Sequence, residues 1–235
     1  MTRRRWIADE VSDKRAALVG DHAAHLARVL RARVGQEFDI ATGAEVRRGR
    51  VVSVSDNRVE FELGEEVRSA AVAAVTLALA IFKFDRMEWA IEKCTELGVA
   101  RVVPFAAGRS DSHLAGAAGK RVERWRRIAR EAAEQARRAA APEVSDPVKL
   151  REVVALAAER RIVLAEAETE APLREACGAG AASVALAIGP EGGWTEEEQR
   201  AFRQAGWQAA SLGPTILRAE TAAMAAVAVV MAATI

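Results

Sequence analysis

Three short stretches combine glycine, charge and position in a way that could hold a ligand. Gly189-Pro190-Glu191-Gly192-Gly193-Trp194 directly follows the apolar run Ala185-Leu186-Ala187-Ile188. Its glycines let a backbone approach a bound molecule closely. Thr195 then opens a helix, and Thr195 with Glu198 has capping-box spacing. The loop lacks the Walker lysine and the Gly-x-Gly-x-x-Gly spacing of a phosphate cradle, and Glu191 would repel phosphate. It suits a neutral or cationic ligand read by backbone groups. The same residues would also serve as a strand-to-helix turn that needs glycine for sterics alone.

The second stretch runs from Leu212-Gly213-Pro214-Thr215-Ile216-Leu217 into Arg218-Ala219-Glu220-Thr221. Arg218, Glu220 and Thr221 gather polar groups where the chain should enter the core. They read either as ligand contacts or as an Arg–Glu ion pair with a helix cap. The third stretch, Leu164-Ala165-Glu166, ends another apolar run. All three lie where an open parallel sheet binds ligands, beyond the carboxyl ends of its strands.

Such a sheet is what the surrounding pattern predicts. Near-continuous apolar runs occur at Val75–Ile81, Arg101–Phe105, Ile162–Ala165, Val184–Ile188 and Ala209–Leu212. Helical stretches at 85–97, 120–140, 149–159, 195–205 and 220–233 alternate with them. Unbroken apolar strands alternating with helices indicate a parallel sheet covered on both faces. The first 70 residues differ. Glu37–Ala41, Val46–Ser53 and Arg58–Leu63 are short and rich in Val, Phe and Ile, with turn signals at Gly35, Thr42-Gly43 and Asp56-Asn57. One helix interrupts them, with Asp21 as its N-cap and His25, Leu26, Val29 and Leu30 on one face. Position on that face makes His25 a packed core histidine. Residues 65–72 form a linker. The reading is α/β overall, with a small β-rich domain over 1–70 and a parallel-sheet domain over 73–235.

Charge and composition exclude several functions. Formal net charge is +1, from 34 Lys+Arg against 33 Asp+Glu, so a globally basic coat is ruled out. Local basic faces remain. Residues 120–138 carry eight Lys+Arg and three Glu, with Arg124, Arg127 and Arg130 on one helix side and Trp125, Ile128 and Ala132 on another. Arg3, Arg4, Arg5, Arg28, Arg31 and Arg33 cluster near the N-terminus. Two basic patches on a neutral protein suggest an anionic polymer as partner, although a solvated helix face is the simpler account of the first. Arginine dominates the basic residues, which fits either phosphate binding or a GC-rich genome. Three histidines and two cysteines offer no metal-ligand spacing and no nucleophile context, so no metal is expected. Cys94 and Cys177 fit a reducing cytosol. The N-terminus lacks the apolar core of a signal peptide, and the uncharged stretch Thr221–Ile235 falls short of a membrane span.

Five motifs, taken together, resemble one family. They are Ile188-Gly189-Pro190-Glu191-Gly192-Gly193, Leu212–Ala222 (LGxxILRxETA), Lys93–Val99 (KxxELGV), Glu134-Gln135 with Arg138 and Pro142, and His25–Arg31. In this order and over nearly the whole chain they resemble the bacterial 16S rRNA uridine-N3 methyltransferases, the RsmE family of the SPOUT superfamily. The chain departs from the family pattern at Ala165-Glu166 and around Gly108–His113, where only Arg109-Ser110 is kept.

The resemblance implies a small PUA-like RNA-binding β-barrel followed by a SPOUT-type trefoil-knotted parallel-sheet domain. It implies S-adenosylmethionine as cofactor, held by Leu164, Ala165, Glu166, Ile188, Gly189, Pro190, Glu191, Gly192, Leu212, Gly213, Ile216, Leu217, Arg218, Thr221 and Ala222. It implies a cytoplasmic homodimer acting within the assembled 30S subunit on a uridine, position 1498 in the usual numbering of 16S rRNA. Arg3, Arg4, Arg5, Arg28, Arg31, Lys83, Arg109, Arg124, Arg127 and Arg138 would contact RNA. Removal of the N3 proton needs an acceptor, and the developing anion needs a donor. Arg218 is the candidate donor; Glu191 and Glu220 are the candidate acceptors. The alternatives are another SPOUT enzyme, such as a ribose 2′-O-methyltransferase, and a non-catalytic RNA-binding assembly factor.

Overall fold

A computed structural model describes residues 5–43, 45–67, 73–165, 171–178 and 180–234. The chain divides into two compact units, Met1–Ala70 with Ala133–Ala141, and Ala71–Ala132 with Pro142–Ile235.

The first unit carries β1 (Arg5–Ile7), β2 (Glu10–Ser12), β3 (Arg15–Val19), β4 (Glu37–Ala41), β5 (Val46–Val54) and β6 (Arg58–Glu66). They form one sheet in the order β1-β4-β5-β6-β3-β2. Every pairing is antiparallel except β1 with β4. Inward residues alternate along β6, where Val59, Phe61 and Leu63 are buried. Gly49 is required by packing: a Cβ there would sit 2.3 Å from Ile40 Cγ1. The ladder shifts register beside it, as a bulge does.

Two expectations change in this unit. The helix is short, α1 (Asp21–Ala24), and its cap is Gly20 at φ 59 rather than Asp21. It runs straight into a π-turn over His25–Val29. The wider turn breaks the 3.6-residue phase. Leu26 therefore stays buried while Val29 is exposed. His25 is exposed too, its ring 5.8 Å from that of Trp6, and is no core histidine. Residues 65–66 belong to β6, the Val67 amide bonds the Val46 carbonyl, and the rest of the expected linker, 68–72, lies outside the described residues.

Segment 133–141 packs with this unit: Ala133 shares a small core with Ile7, Ala41 and Val46. His22 Nε2 lies 3.6 Å from Glu134 Oε1, and Arg5 Nη1 donates to the Arg137 carbonyl. Arg137 has φ 56, and the Arg138 amide bonds the Ala133 carbonyl. That closure resembles a Schellman cap with arginine at the usual glycine position. It ends the basic helix before the predicted residue 140.

The second unit holds β7 (Ala74–Ala80), α2 (Phe84–Leu97), β8 (Arg101–Ala106), α3 (Ser112–Ala117), α4 (Val122–Gln135), β9 (Glu143–Val144), β10 (Val148–Lys149) and α5 (Leu150–Val154). It continues through β11 (Arg160–Leu164), α6 (Leu173–Cys177), β12 (Ser183–Ile188), α7 (Glu196–Gln204), β13 (Gln208–Ala210) and α8 (Ala219–Thr234). The sheet runs β10-β8-β7-β12-β11-β13, with β9 beside β8, and every pairing is parallel. Its two faces are filled differently. Leu77, Leu79, Leu186 and Ile162 meet Met87, Ile91, Trp125, Val227 and Val230. On the other face Ala78, Ala80, Ala185 and Ala187 meet Phe105, Trp194, Phe202 and Trp207. On this second face large side chains stand over small ones, which keeps the layer dense. The α5 helix stops five residues before the expected 159. Trp207 Nε1 takes the Val154 carbonyl at 3.0 Å, the acceptor that residue 158 would need to continue the helix.

Candidate active site

The loops after β11, β12 and β13 open into one cavity of about 640 Å³. Leu164 and Ala165 line it from the first, Ile188–Trp194 from the second, and Ala210–Leu217 from the third. Lys83 and Arg86 reach it from the start of α2, Arg109 from beyond β8, and Arg218, Ala219 and Ala222 from the start of α8. The volume falls within the range of small-molecule sites.

Trp194 fixes two of these loops together. Its Nε1 donates to the Leu164 carbonyl at 2.6 Å. Its ring stacks on Phe105 and meets Phe202 edge-on. The ring also covers Gly189, where a Cβ would lie 3.0 Å from Trp194 Cε2. Sterics therefore favour glycine at 189, and the loop still faces the cavity. Thr195 and Glu198 form the predicted capping box. Buried Glu198 does a second job: Oε2 accepts from the Thr195 amide at 2.8 Å and Oε1 from the Gly108 amide at 2.7 Å. The adjacent Arg109 donates through Nη1 to the Gly192 carbonyl at 2.8 Å. The glycine loop is thus held from β11 and from the loop after β8.

Of the residues expected to hold a cofactor, Leu164, Ala165, Ile188, Gly189, Pro190, Glu191, Gly192, Leu212, Gly213, Ile216, Leu217, Arg218 and Ala222 all line the cavity. Thr221 is exposed and does not line it. Glu166 lies outside the described residues. Ile216 is 81% exposed at this site.

The catalytic candidates separate. Arg218 and Glu191 line the cavity and are exposed. Among the described residues no hydrogen bond or ion pair ties down the Arg218 side chain; its carbonyl accepts from the Ala222 amide at 2.8 Å. Glu220 is 3% exposed and off the lining. Its Oε1 lies 3.7 Å from Arg86 Nε, and among the described residues its Oε2 has no hydrogen-bond partner. Arg86 also binds Glu191 Oε1 through Nη1 at 2.5 Å. The sequence reading missed Arg86 and the role of Trp194. Arg86 follows β7 by only a few residues, so the rule that led to the other strand-end loops reaches it as well.

The expected RNA contacts scatter. Lys83 and Arg109 line the cavity. Arg31 and Arg127 are exposed, and Arg31 holds a left-handed φ of 51. Arg28 pairs with Asp56 at 2.8 Å, and Arg124 forks onto Glu88 at 2.7 and 2.8 Å. Each of those pairs raises the affinity of its guanidinium for the proton, mainly through the hydrogen bond. Arg5 is half-buried, and burial makes Arg138 easier to deprotonate than a free arginine. Arg3 and Arg4 lie outside the described residues. Among the described residues no group of His, Cys, Asp or Glu could hold a metal ion.

A glycine-walled cavity at the strand ends of a parallel sheet marks a ligand site without fixing its class, and here the class is set by comparison: residues 69–231 match the RNA methyltransferase domain family. Relatives along nearly the whole chain narrow it. The ribosomal RNA small subunit methyltransferase E of Mycobacterium bovis is 36% identical over 94% of this chain and 88% of its own length. That of Bacillus subtilis is 32% identical over 88% and 85%. The crystal structure of the Neisseria gonorrhoeae enzyme bound to S-adenosyl methionine superposes with a TM-score of 0.80, at 29% identity, covering 97% of this chain and 96% of that one. This chain belongs to the ribosomal RNA small subunit methyltransferase E family.

Proposed function

We propose that this protein uses S-adenosylmethionine to methylate N3 of a uridine in 16S rRNA of the small ribosomal subunit. The observation that carries the reading is the convergence of three strand-end loops, with the glycine run 189–193 among them, beside an exposed, uncommitted Arg218.

The residues present fit that cofactor. Backbone groups of Leu164, Ile188–Gly192 and Leu212–Leu217 would hold the adenosine, as a neutral base requires. Gly213, at φ 123 with no atom within 4 Å of its Cβ position, leaves the wall open for close approach. Glu191 suits a cationic centre, and Lys83 and Arg109 supply cations for an amino-acid carboxylate. When bound, S-adenosylmethionine supplies an electrophilic methyl group. The chain's own residues do the rest. Glu191 accepts the N3 proton, and Arg218 stabilises the charge that spreads onto the flanking carbonyl oxygens. Glu220, buried and off the lining, serves position rather than proton transfer.

The finer features follow from the same reading. Residues 1–70 form a PUA-like RNA-binding domain, against which 133–141 packs, and 73–235 carry a knotted SPOUT domain, a rare exception to the rule against threaded chains. Exposed Arg31 and Arg127 would meet RNA phosphates, positioning more than specifying. The enzyme acts in the cytoplasm as a homodimer on the assembled 30S subunit. Trp89 and Leu97, eight residues apart on α2 and 48% and 37% exposed, support a subunit contact. No described helix is long and apolar enough to cross a membrane. Calorimetric titration with S-adenosylmethionine tests the reading. Binding followed by methyl transfer to small subunits supports it; no binding favours the non-catalytic assembly factor.

A further inference from the structure

We propose that Arg86 is a positioning residue that clasps the glycine loop, anchored from beneath by buried Glu220. The inference rests on the functional reading above and assigns a role to a residue outside the five motifs quoted in the sequence.

Three facts carry it. The Arg86 guanidinium joins two acidic residues that are far from it in sequence, Glu191 on the loop and Glu220 at the start of α8, at 2.5 and 3.7 Å. Glu220 is almost fully buried, and a buried carboxylate needs a compensating cation. Among the described residues Arg86 is the one cation within ion-pair range of it. Arg86 itself lines the cavity, with its side chain 26% exposed. It is therefore positioned to transmit order from the core to the loop. The anchor end is costly to break, because it leaves a buried charge alone. The loop end is more exposed and free to adjust.

Among the described residues the clasp engages Glu191 through Oε1 alone. That fixes the carboxylate's direction while its second oxygen keeps its capacity to accept a proton. Arg86 need not touch the reacting atoms. It acts through Glu191 and through the backbone of residues 189–193.

The test is a double-variant cycle on the full chain: wild type, Arg86→Gln, Glu191→Gln, both together, and Arg86→Lys. Cofactor Kd is read by calorimetry and loop order by hydrogen exchange of the peptide spanning 189–194. The clasp predicts that each glutamine variant raises Kd by about tenfold, the usual weight of one charge-assisted hydrogen bond. The double variant should be no worse than the worse single. Arg86→Lys should recover part of the affinity, since the cation stays and the fork is lost. Exchange at 189–194 should quicken in both single variants. Wild-type Kd and exchange in Arg86→Gln, or effects that multiply in the double variant, would overturn the proposal. A purely structural Arg86 would lower Tm and leave Kd alone. If Arg86→Gln fails to fold, Glu191→Gln decides: wild-type Kd and exchange there overturn the clasp. If the wild type itself binds no S-adenosylmethionine, the functional reading fails, and loop exchange still tests the clasp.

Discussion

Replacing Gly189 by alanine tests how the glycine loop is held. The added Cβ would lie 3.0, 3.2 and 3.3 Å from Trp194 Cε2, Nε1 and Cδ2. Ordinary contact begins nearer 3.4 Å, so either the ring or the loop must move by a few tenths of an ångström. The ring is poorly placed to yield. It is stacked on Phe105 at a 6.0 Å centroid distance, meets Phe202 at 4.9 Å, and is tethered to the Leu164 carbonyl. Overpacking of this kind costs about 1–3 kcal/mol. For a chain of this size that lowers Tm by roughly 2–12 °C. The loop is the softer partner, so cofactor affinity should fall with stability, by about tenfold or more if one backbone hydrogen bond is lost. Differential scanning fluorimetry and calorimetry read the two effects. Gly116→Ala is the control, because nothing lies within 4 Å of its Cβ position in α3. It should be neutral or slightly stabilising. If Gly189→Ala matches wild type in both Tm and Kd, the reasoning about the loop is wrong.

Arg218→Ala should keep cofactor binding and lose turnover, because its guanidinium is assigned to the developing anion; unchanged kcat in a single-turnover assay would remove it from the chemistry. Trp194→Phe takes the donor from the Leu164 carbonyl and should cost about 1–3 kcal/mol in urea unfolding, whereas a change under about 0.5 kcal/mol would place that bond among the dispensable ones. Burial pushes the Cys94 thiol up to about 12 from an ordinary 9.0. Below 9.0 both folded and unfolded thiols are protonated and stability is unaffected; above it the unfolded chain ionises first, so stability declines as pH rises toward 12. A disulfide reagent at pH 8 should therefore label Cys94 only on unfolding, and rapid labelling of the native protein would contradict its burial.

The parallel sheet was legible because its strands are buried on both faces. Val75–Ile81 and Val184–Ile188 read as unbroken apolar runs, and β7 and β12 fall within a residue of them. The strand-end rule then located the cavity loops without any contact information. Other features left no such signal. The strands β1 and β2 are three residues each, and all of β2 is exposed, so no alternation marks it. The π-turn at His25–Val29 cannot be read from a 3.6-residue period, which puts His25 on the wrong side. The early stop of α5 depends on Trp207, distant in sequence. The same holds for Arg86: its type and position were visible, but its partners Glu191 and Glu220 are brought to it only by the fold. Composition also hid which arginines are committed, since Arg124 and Arg28 are bound to acids that only the structure places beside them.

The central claim is the identity of the product. Small subunits from cells lacking this modification, incubated with the protein and labelled S-adenosylmethionine, should yield 3-methyluridine on nucleoside mass spectrometry of their 16S rRNA. A 2′-O-methylated nucleoside would keep the fold and cofactor and contradict the assigned chemistry. Cofactor binding with no labelled nucleoside from assembled subunits would contradict the assigned substrate.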